Sequence, residues 1–251
     1  MCFSDPLSIQ AWSIEWIYEC ACLLVVFIFS AVLYFLWFVV SQKVVWRSKL
    51  DHARLEFFWS IVPLFFLTVM CSVSVLVLYR NDECNHDPFL DIVVMGSQWY
   101  WSYSYSGSTM EKASYSSKAA EEGGLVSCLS VDYPLVIPYR RSVRFLVSSS
   151  DVIHSFSVPS LGVKIDAIPG RITRAVSGCI LPGIMYGSCN ELCGELHSNM
   201  PVIVESVSCS KFEEFLEALR YASVDHVEEV IVPVVDETYG DGCEVIDCSE
   251  S

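Results

Sequence analysis

The chain has 251 residues, 53% of them hydrophobic and 18% charged, and its 15 Lys plus Arg against 30 Asp plus Glu leave a net charge of −15. That acidity excludes binding to a nucleic-acid backbone, whose phosphates would be repelled, and points to a cationic protein partner or to metal ions. High apolar content beside so large a charge requires one part of the chain in a membrane and another in water, and 12 Cys without a Cys-x2-Cys pair argue against a zinc-ribbon or knottin framework.

Residues 1–19 carry Asp5, Glu15 and Glu19 and no basic side chain. From Cys20 to Val40 run 21 uncharged residues rich in Val, Phe and Leu, which as a helix would measure about 31 Å and cross a bilayer. The run is too long and starts too late for a signal-peptide core, with no basic region before it and no small-residue cleavage site after it, so it reads as retained. A connecting segment, 41–56, sets Lys43, Arg47, Lys49 and Arg54 against Asp51 and Glu56. A second uncharged run of 23 residues, Phe57 to Tyr79, carries Pro63 in its first two turns, where a helix tolerates proline better than at its centre. Residues 20–79 therefore read as a transmembrane hairpin. The positive-inside rule puts its basic segment on the cytoplasmic or matrix side and both termini opposite.

Beyond Arg80 the pattern changes to short β-rich stretches separated by turn residues. Leu90–Met95, Trp99–Tyr105, Leu125–Val131, Val143–Val147, Ile153–Val158 and Pro201–Val207 read as strands of an antiparallel sandwich or barrel over 80–210. Ser106–Gly124, rich in Ser, Ala, Glu and Gly, reads as a long loop. In 211–251, Phe212, Phe215, Leu216 and Leu219 fall on one helical face and Glu213, Glu214 and Glu217 outside it, which predicts a short helix over Lys211–Tyr221. A mobile acidic tail, Ser223–Ser251, is expected after it. From Glu205 onward there are 13 acidic and 2 basic residues, so most of the net charge lies there.

Chemistry concentrates between Gly187 and Pro201, where Cys189, Cys193, His197 and Met200 gather two thiols, an imidazole and a thioether. Such soft donors suit copper, with the Met as a weak ligand that tunes potential. Zinc would accept two Cys and one His but has little use for Met. One copper needs only one thiolate, so the second Cys indicates either a bridge between two coppers or a different metal. His154, on a predicted strand, is the candidate for a further imidazole; His52, His86 and His226 read as ordinary surface histidines.

The sequence resembles cytochrome c oxidase subunit II from the membrane hairpin to about Val207. Four motifs carry the resemblance: Glu56-Phe-Phe-Trp59-Ser-Ile-Val-Pro63, Gly96-Ser-Gln98-Trp99-Tyr100-Trp101-Ser-Tyr103, the stretch from Asp151 to Arg171 around His154, and the cysteine loop. It implies a cupredoxin-like Greek-key barrel anchored by two helices and holding a dinuclear copper centre, CuA, reduced by cytochrome c. The implied copper ligands are His154, Cys189, Cys193, His197 and Met200, with Glu191 lending its backbone carbonyl. The Glu191 side chain matches a magnesium ligand at the contact with the catalytic subunit, and Asp166 and Arg171 match a stretch that meets that subunit.

Trp99 inherits the role of electron entry above the copper, against the plainer reading of an interfacial or core aromatic. Glu56 matches a proton-uptake glutamate at the inner end of the second helix, against that of an acid favoured by a helix N-terminus. Asp132 matches a docking acid, with Glu111, Glu121, Glu122 and Asp151 as supplements; Ser97 and Ser104 stand where the family usually has His and an acid. The other ten Cys have no matching role and read mostly as small apolar fillers. The implied partners are the catalytic haem-copper subunit I, other oxidase subunits, cytochrome c and membrane lipid. The implied location is the mitochondrial inner membrane, with the copper domain and both termini in the intermembrane space. Two other readings compete: a quinol-oxidase subunit, which keeps the scaffold but lacks the copper ligands present here, and a membrane-tethered copper-binding or delivery protein.

Overall fold

Each uncharged run becomes a helix longer than itself: α1 is Ile9–Ser41 and α2 is Ala53–Glu83. The computed structural model describes residues 5–43, 52–83, 88–106, 113–120 and 130–224. They fall into two units, Ser13–Glu83 and a second made of Met1–Trp12 with Cys84–Ser251. α1 starts well before Cys20 because Ser8 caps it, its Oγ accepting from Ala11 N–H at 2.9 Å and its carbonyl from Trp12 N–H at 3.0 Å. His52, read as an ordinary surface residue, caps α2: its carbonyl accepts from Glu56 N–H at 3.1 Å and its Nδ1 faces Leu55 N–H at 3.3 Å.

Large apolar side chains such as Phe27, Leu36, Phe57 and Leu67 stand exposed along both helices, which suits a surface covered by lipid. Ser30, Ser41, Ser60, Thr68 and Ser72 donate their hydroxyls to the carbonyl four residues back at 2.7–2.9 Å. No free donor is left to hydrocarbon at those positions. Within this unit Ser13 Oγ also donates to Asn81 Oδ1 at 3.4 Å.

Among the described residues, the other unit contains ten strands: β1 (Leu90–Ser97), β2 (Tyr100–Ser106), β3 (Ala113–Ser117), β4 (Leu135–Pro138), β5 (Val143–Ser149), β6 (His154–Val158), β7 (Val163–Ala167), β8 (Thr173–Ser177), β9 (Gly183–Cys189) and β10 (Pro201–Val207). They form two five-stranded sheets, ordered β3-β2-β1-β5-β8 and β4-β10-β9-β6-β7. Pairing is antiparallel as expected except at β1–β5 and β4–β10, which are parallel because the chain crosses between sheets before returning beside an earlier strand. The expected loop Ser106–Gly124 contains β3, held by the inward-facing Tyr115, whose ring lies 5.6 Å from that of Tyr103. Of the expected strand Leu125–Val131, residues 125–129 lie outside the described residues, and Val131 bridges Ala119.

Alternation sorts the side chains: Ile92 and Val94 of β1, Trp101, Tyr103 and Tyr105 of β2, Phe145 and Val147 of β5, Phe156 and Val158 of β6, and Val202 and Val204 of β10 are all fully buried between the sheets. Each such apolar side chain contributes about 1.5–3 kcal/mol by burial. The last helix, α3 (Cys209–Val224), covers one end of this core with Phe212, Phe215, Leu216 and Leu219, as its periodicity predicts. Phe215 sits 5.6 Å from the Tyr105 ring, edge-on. The leading residues join the same unit: Leu7 N–H donates to Ser160 O at 2.9 Å, Ile180 N–H to Leu7 O at 2.8 Å, and Ser8 Oγ to Leu161 O at 2.8 Å. Cys209 is disulfide-bonded and so is no filler, whereas Cys179 is a buried free thiol. The tail beyond Val224 lies outside the described residues.

Candidate metal centre

The site is built where β6, β9 and the loop before β10 meet. His154 opens β6, Cys189 closes β9, and the two strands pair with Cys189 opposite Phe156. Cys193 follows in the loop, His197 opens a single 3-10 turn, and Met200 immediately precedes β10. The loop closes on itself: Cys189 N–H donates to Met200 O at 3.0 Å, Asn190 N–H to Ser155 O at 3.0 Å, and His197 N–H to Gly194 O at 3.3 Å.

The ligand atoms of His154, Cys189 and Cys193 all lie within 4.8 Å of one another, and all three residues are buried. The two sulfurs are 3.9 Å apart and free. Cys189 Sγ lies 3.9 Å from His154 Nδ1 and 3.3 Å from the Glu191 carbonyl oxygen, and Cys193 Sγ lies 3.5 Å from His197 Nδ1. Two thiols, two imidazole nitrogens and one carbonyl therefore converge, with Met200 buried beside them. Soft sulfur with imidazole, largely shielded from water, is a donor set that fits copper. Burial first, and the adjoining Cys189 thiol second, push the Cys193 thiol up to about 12, so a metal must displace its proton on binding.

His154 is aimed by two neighbours. Its Nε2 donates to Asp151 Oδ1 at 2.8 Å, which leaves the Nδ1 lone pair facing Cys189. Its ring packs over Gly96, where an added Cβ would lie 3.0 Å from His154 Cδ2, and edge-on to Trp101 at 6.0 Å. Burial raises the Asp151 carboxyl, but hydrogen bonds from His154, Gln98 N–H and Val152 N–H outweigh it and hold the group below the usual carboxylate range. The sequence points to Asp151 as a supplementary docking acid; the structure makes it the partner of His154. Its spacing three residues before a candidate ligand His was the available signal.

Trp99 is half-buried, its indole lying against Gly194 with an Nε1 that has no hydrogen-bond partner among the described residues. Ser97 is buried and shares a hydrogen with Ser150 at 2.7 Å. Asp132 stands exposed, Oδ1 accepting from Lys118 N–H at 2.7 Å and Tyr133 N–H at 2.8 Å, while Lys118 Nζ lies 5.6 Å from the Tyr100 ring centroid. The Glu191 side chain is exposed and lines an open cavity of about 530 Å³ with Lys164, Asp166, Arg171 and Thr173. Glu56 lies exposed in the first turn of α2, in the other unit. Glu111, Glu121 and Glu122 lie outside the described residues.

A pair of apolar helices joined in sequence to a two-sheet sandwich with buried Cys and His donors at one end defines a membrane-anchored, cupredoxin-like metalloprotein. Residues 90–207 match the family described as cytochrome c oxidase subunit II, periplasmic domain. The crystal structure of the periplasmic domain of subunit II of cytochrome oxidase (CoxB) of Bradyrhizobium japonicum is 37% identical, with a TM-score of 0.51, over 54% of this chain and 96% of that one. Similar too is a mixed-disulfide intermediate between thioredoxin-like TlpA and subunit II of cytochrome c oxidase, at 36% identity and a TM-score of 0.48, over 54% of this chain and 93% of that one. The chain belongs to the cytochrome c oxidase subunit II family. It is a subunit of a haem-copper oxidase, an oxidoreductase complex, with two apolar helices for anchoring and a domain of periplasmic type.

Proposed function

We propose that this chain is the electron-entry subunit of its oxidase, taking electrons from cytochrome c at Trp99 and passing them toward the haem of the catalytic subunit, where oxygen reduction is coupled to proton pumping. The observation that carries the reading is the convergence of two free thiols and two imidazole nitrogens, each supported by a different segment of one rigid loop-and-strand frame. His154, Cys189, Cys193, His197, Met200 and the Glu191 carbonyl would hold two copper ions. Bound there, copper would supply a one-electron acceptor whose charge is shared across both thiolates. The chain contributes the rest: Asp151 orients His154, burial excludes water, and the hydrogen-bonded loop keeps the donors in place.

In this assignment Glu191 also offers its side chain to a magnesium ion shared with subunit I, in keeping with its position among polar groups in the cavity beside Asp166 and Arg171. Asp132 is one of the acids that docks cytochrome c, and Glu56 feeds a proton path in the partner from the inner face. Residues 20–79 form the hairpin, 80–210 the copper domain and 211–251 the helix and tail. The copper domain faces the intermembrane space of mitochondria. The disulfide at Cys209 favours an oxidising compartment for it.

Electron paramagnetic resonance of the copper-loaded full chain tests the assignment. One unpaired electron coupled equally to two copper nuclei is expected; a single-copper signal, or stoichiometric zinc in its place, would reject it. A freely exchangeable copper, removed by a chelator within seconds, would favour the delivery reading instead.

A further inference from the structure

We infer that Gln98 is a positioning residue that clamps the Trp99 indole onto the Cys193–Gly194 segment and so sets the separation between the indole and the metal-ligand cluster. The inference rests on the reading of Trp99 as the point of electron entry. Gln98 is exposed, yet it makes two bonds to separate parts of the site. Its backbone N–H donates to Asp151 Oδ2 at 2.7 Å, and the other oxygen of that carboxylate accepts from His154 Nε2. Its side-chain Nε2 donates to the carbonyl of Cys193 at 2.7 Å. One residue thus ties the turn between β1 and β2 both to the imidazole side of the cluster and to the thiol loop.

Trp99 cannot anchor itself, because its buried Nε1 makes no hydrogen bond among the described residues. Its place is set by what surrounds it. Gly194 forms the floor: its φ is +130°, and a Cβ there would lie 3.0 Å from Gln98 Nε2, 3.2 Å from Trp99 Cζ2 and 3.3 Å from Trp99 Nε1. Gln98 forms the strap, since its amide lies over the same glycine as the indole. Without the strap, the turn that carries the indole loses its side-chain bond to the Cys193 carbonyl, and the indole can lift from the loop. Electron tunnelling falls exponentially with separation, so an indole that lifts from the loop passes electrons to the cluster more slowly.

The test uses Gln98→Met, which keeps the length of the side chain and removes its donor, beside Trp99→Phe and the double variant, each prepared as the metal-free full chain for fluorescence and assembled in the oxidase for electron entry. Quenching of Trp99 fluorescence by acrylamide, taken as the difference from the Trp99→Phe background in metal-free protein, should rise several-fold in Gln98→Met. Electron entry from cytochrome c at saturation should slow toward, and not beyond, the rate of Trp99→Phe, with copper content and cytochrome c affinity unchanged. The double variant should be no slower than Trp99→Phe alone, as expected for two residues acting through one contact. Weaker cytochrome c affinity with normal entry at saturation would make Gln98 a docking contact and overturn the clamp; unchanged quenching would overturn it as well. If Trp99→Phe itself left entry unchanged, the entry role of Trp99 would fall, and quenching alone would decide the clamp.

Discussion

The two ends of β2 use the same kind of inward-facing aromatic for opposite purposes. At the Trp101 end, the neighbouring His154, Cys189, Cys193 and His197 point their donor atoms at one another without saturating them. At the Tyr105 end the Tyr105 and Tyr115 hydroxyls are bonded internally: the Tyr105 hydroxyl donates to Val136 O at 2.8 Å, accepts from Val136 N–H at 3.1 Å and lies 3.3 Å from the Tyr115 hydroxyl, which donates to Pro134 O at 2.7 Å. That hydroxyl joins β2 of one sheet to β4 of the other. Capacity left open is available to a ligand, whereas capacity closed internally is available only to stability.

The sharpest break in this comparison is expected from Cys193→Ser. It should abolish the shared-electron copper signal while changing the stability of the metal-free protein by about 1 kcal/mol or less; a persistent signal would remove Cys193 from the ligand set. Tyr105→Phe should do the reverse. It strands the buried N–H and carbonyl of Val136, at a cost of about 1–3 kcal/mol in denaturant unfolding, and leaves copper spectra as they were. Loss of the copper signal in Tyr105→Phe would show that the two ends are not separable.

The same contrast predicts an alkaline transition. Burial pushes the Tyr103, Tyr105 and Tyr115 hydroxyls well above the ordinary value of 10; neighbouring tyrosines push Tyr103 and Tyr115 further up, whereas hydrogen bonds to Tyr115 and Val136 partly offset the rise at Tyr105. The unfolded chain ionises these groups near pH 10 while the folded one keeps them neutral, so their contribution is fully present below pH 10 and lost as pH rises above it. The loss should be roughly 1.4 kcal/mol per pH unit for each tyrosine. Tyrosinate absorbance of these three should appear together with unfolding; a gradual rise near pH 10 in the folded protein would mean that the hydroxyls are open to water.

Much of the molecule was legible in the sequence for identifiable reasons. Uncharged runs longer than a bilayer announce α1 and α2, and the period of Phe212, Phe215, Leu216 and Leu219 announces α3. Metal donors are rare residues, and four of the five side-chain candidates sit within one short loop, so Cys189, Cys193, His197 and Met200 were visible before any fold. His154 entered because of its motif. The bond from Asp151 to His154 was harder to see, since the carboxylate is fixed as much by Gln98, distant in sequence, as by its neighbours. The contact of Gly194 with Trp99 depends wholly on tertiary placement. β3, β7, β8 and β9 were missed because Ser, Gly and exposed apolar residues such as Ile184 and Tyr186 blur the alternation, and β4 because its four residues are all buried and show no alternation. The early start of α1 follows from Ser8, a cap that cannot be told from any other serine until Leu7 is paired with Ile180 and Ser160.

The smallest effect is expected at the Tyr105 end but on the outward face of the first sheet, at the ion pair between Arg144 and Asp91. Arg144 Nη2 donates to Asp91 Oδ2 at 2.6 Å across the parallel β1–β5 register, a short contact that invites a large stability value. Yet the two side chains retain 33% and 27% of their exposure, so water and salt compete for both charges. Asp91→Asn also keeps an oxygen that can accept from the guanidinium. The loss should therefore stay within about 1 kcal/mol and shrink as ionic strength rises. A larger, salt-insensitive loss would mean that this face carries part of the core's stability, and the closed tyrosine end would then extend to the outer face of the sheet.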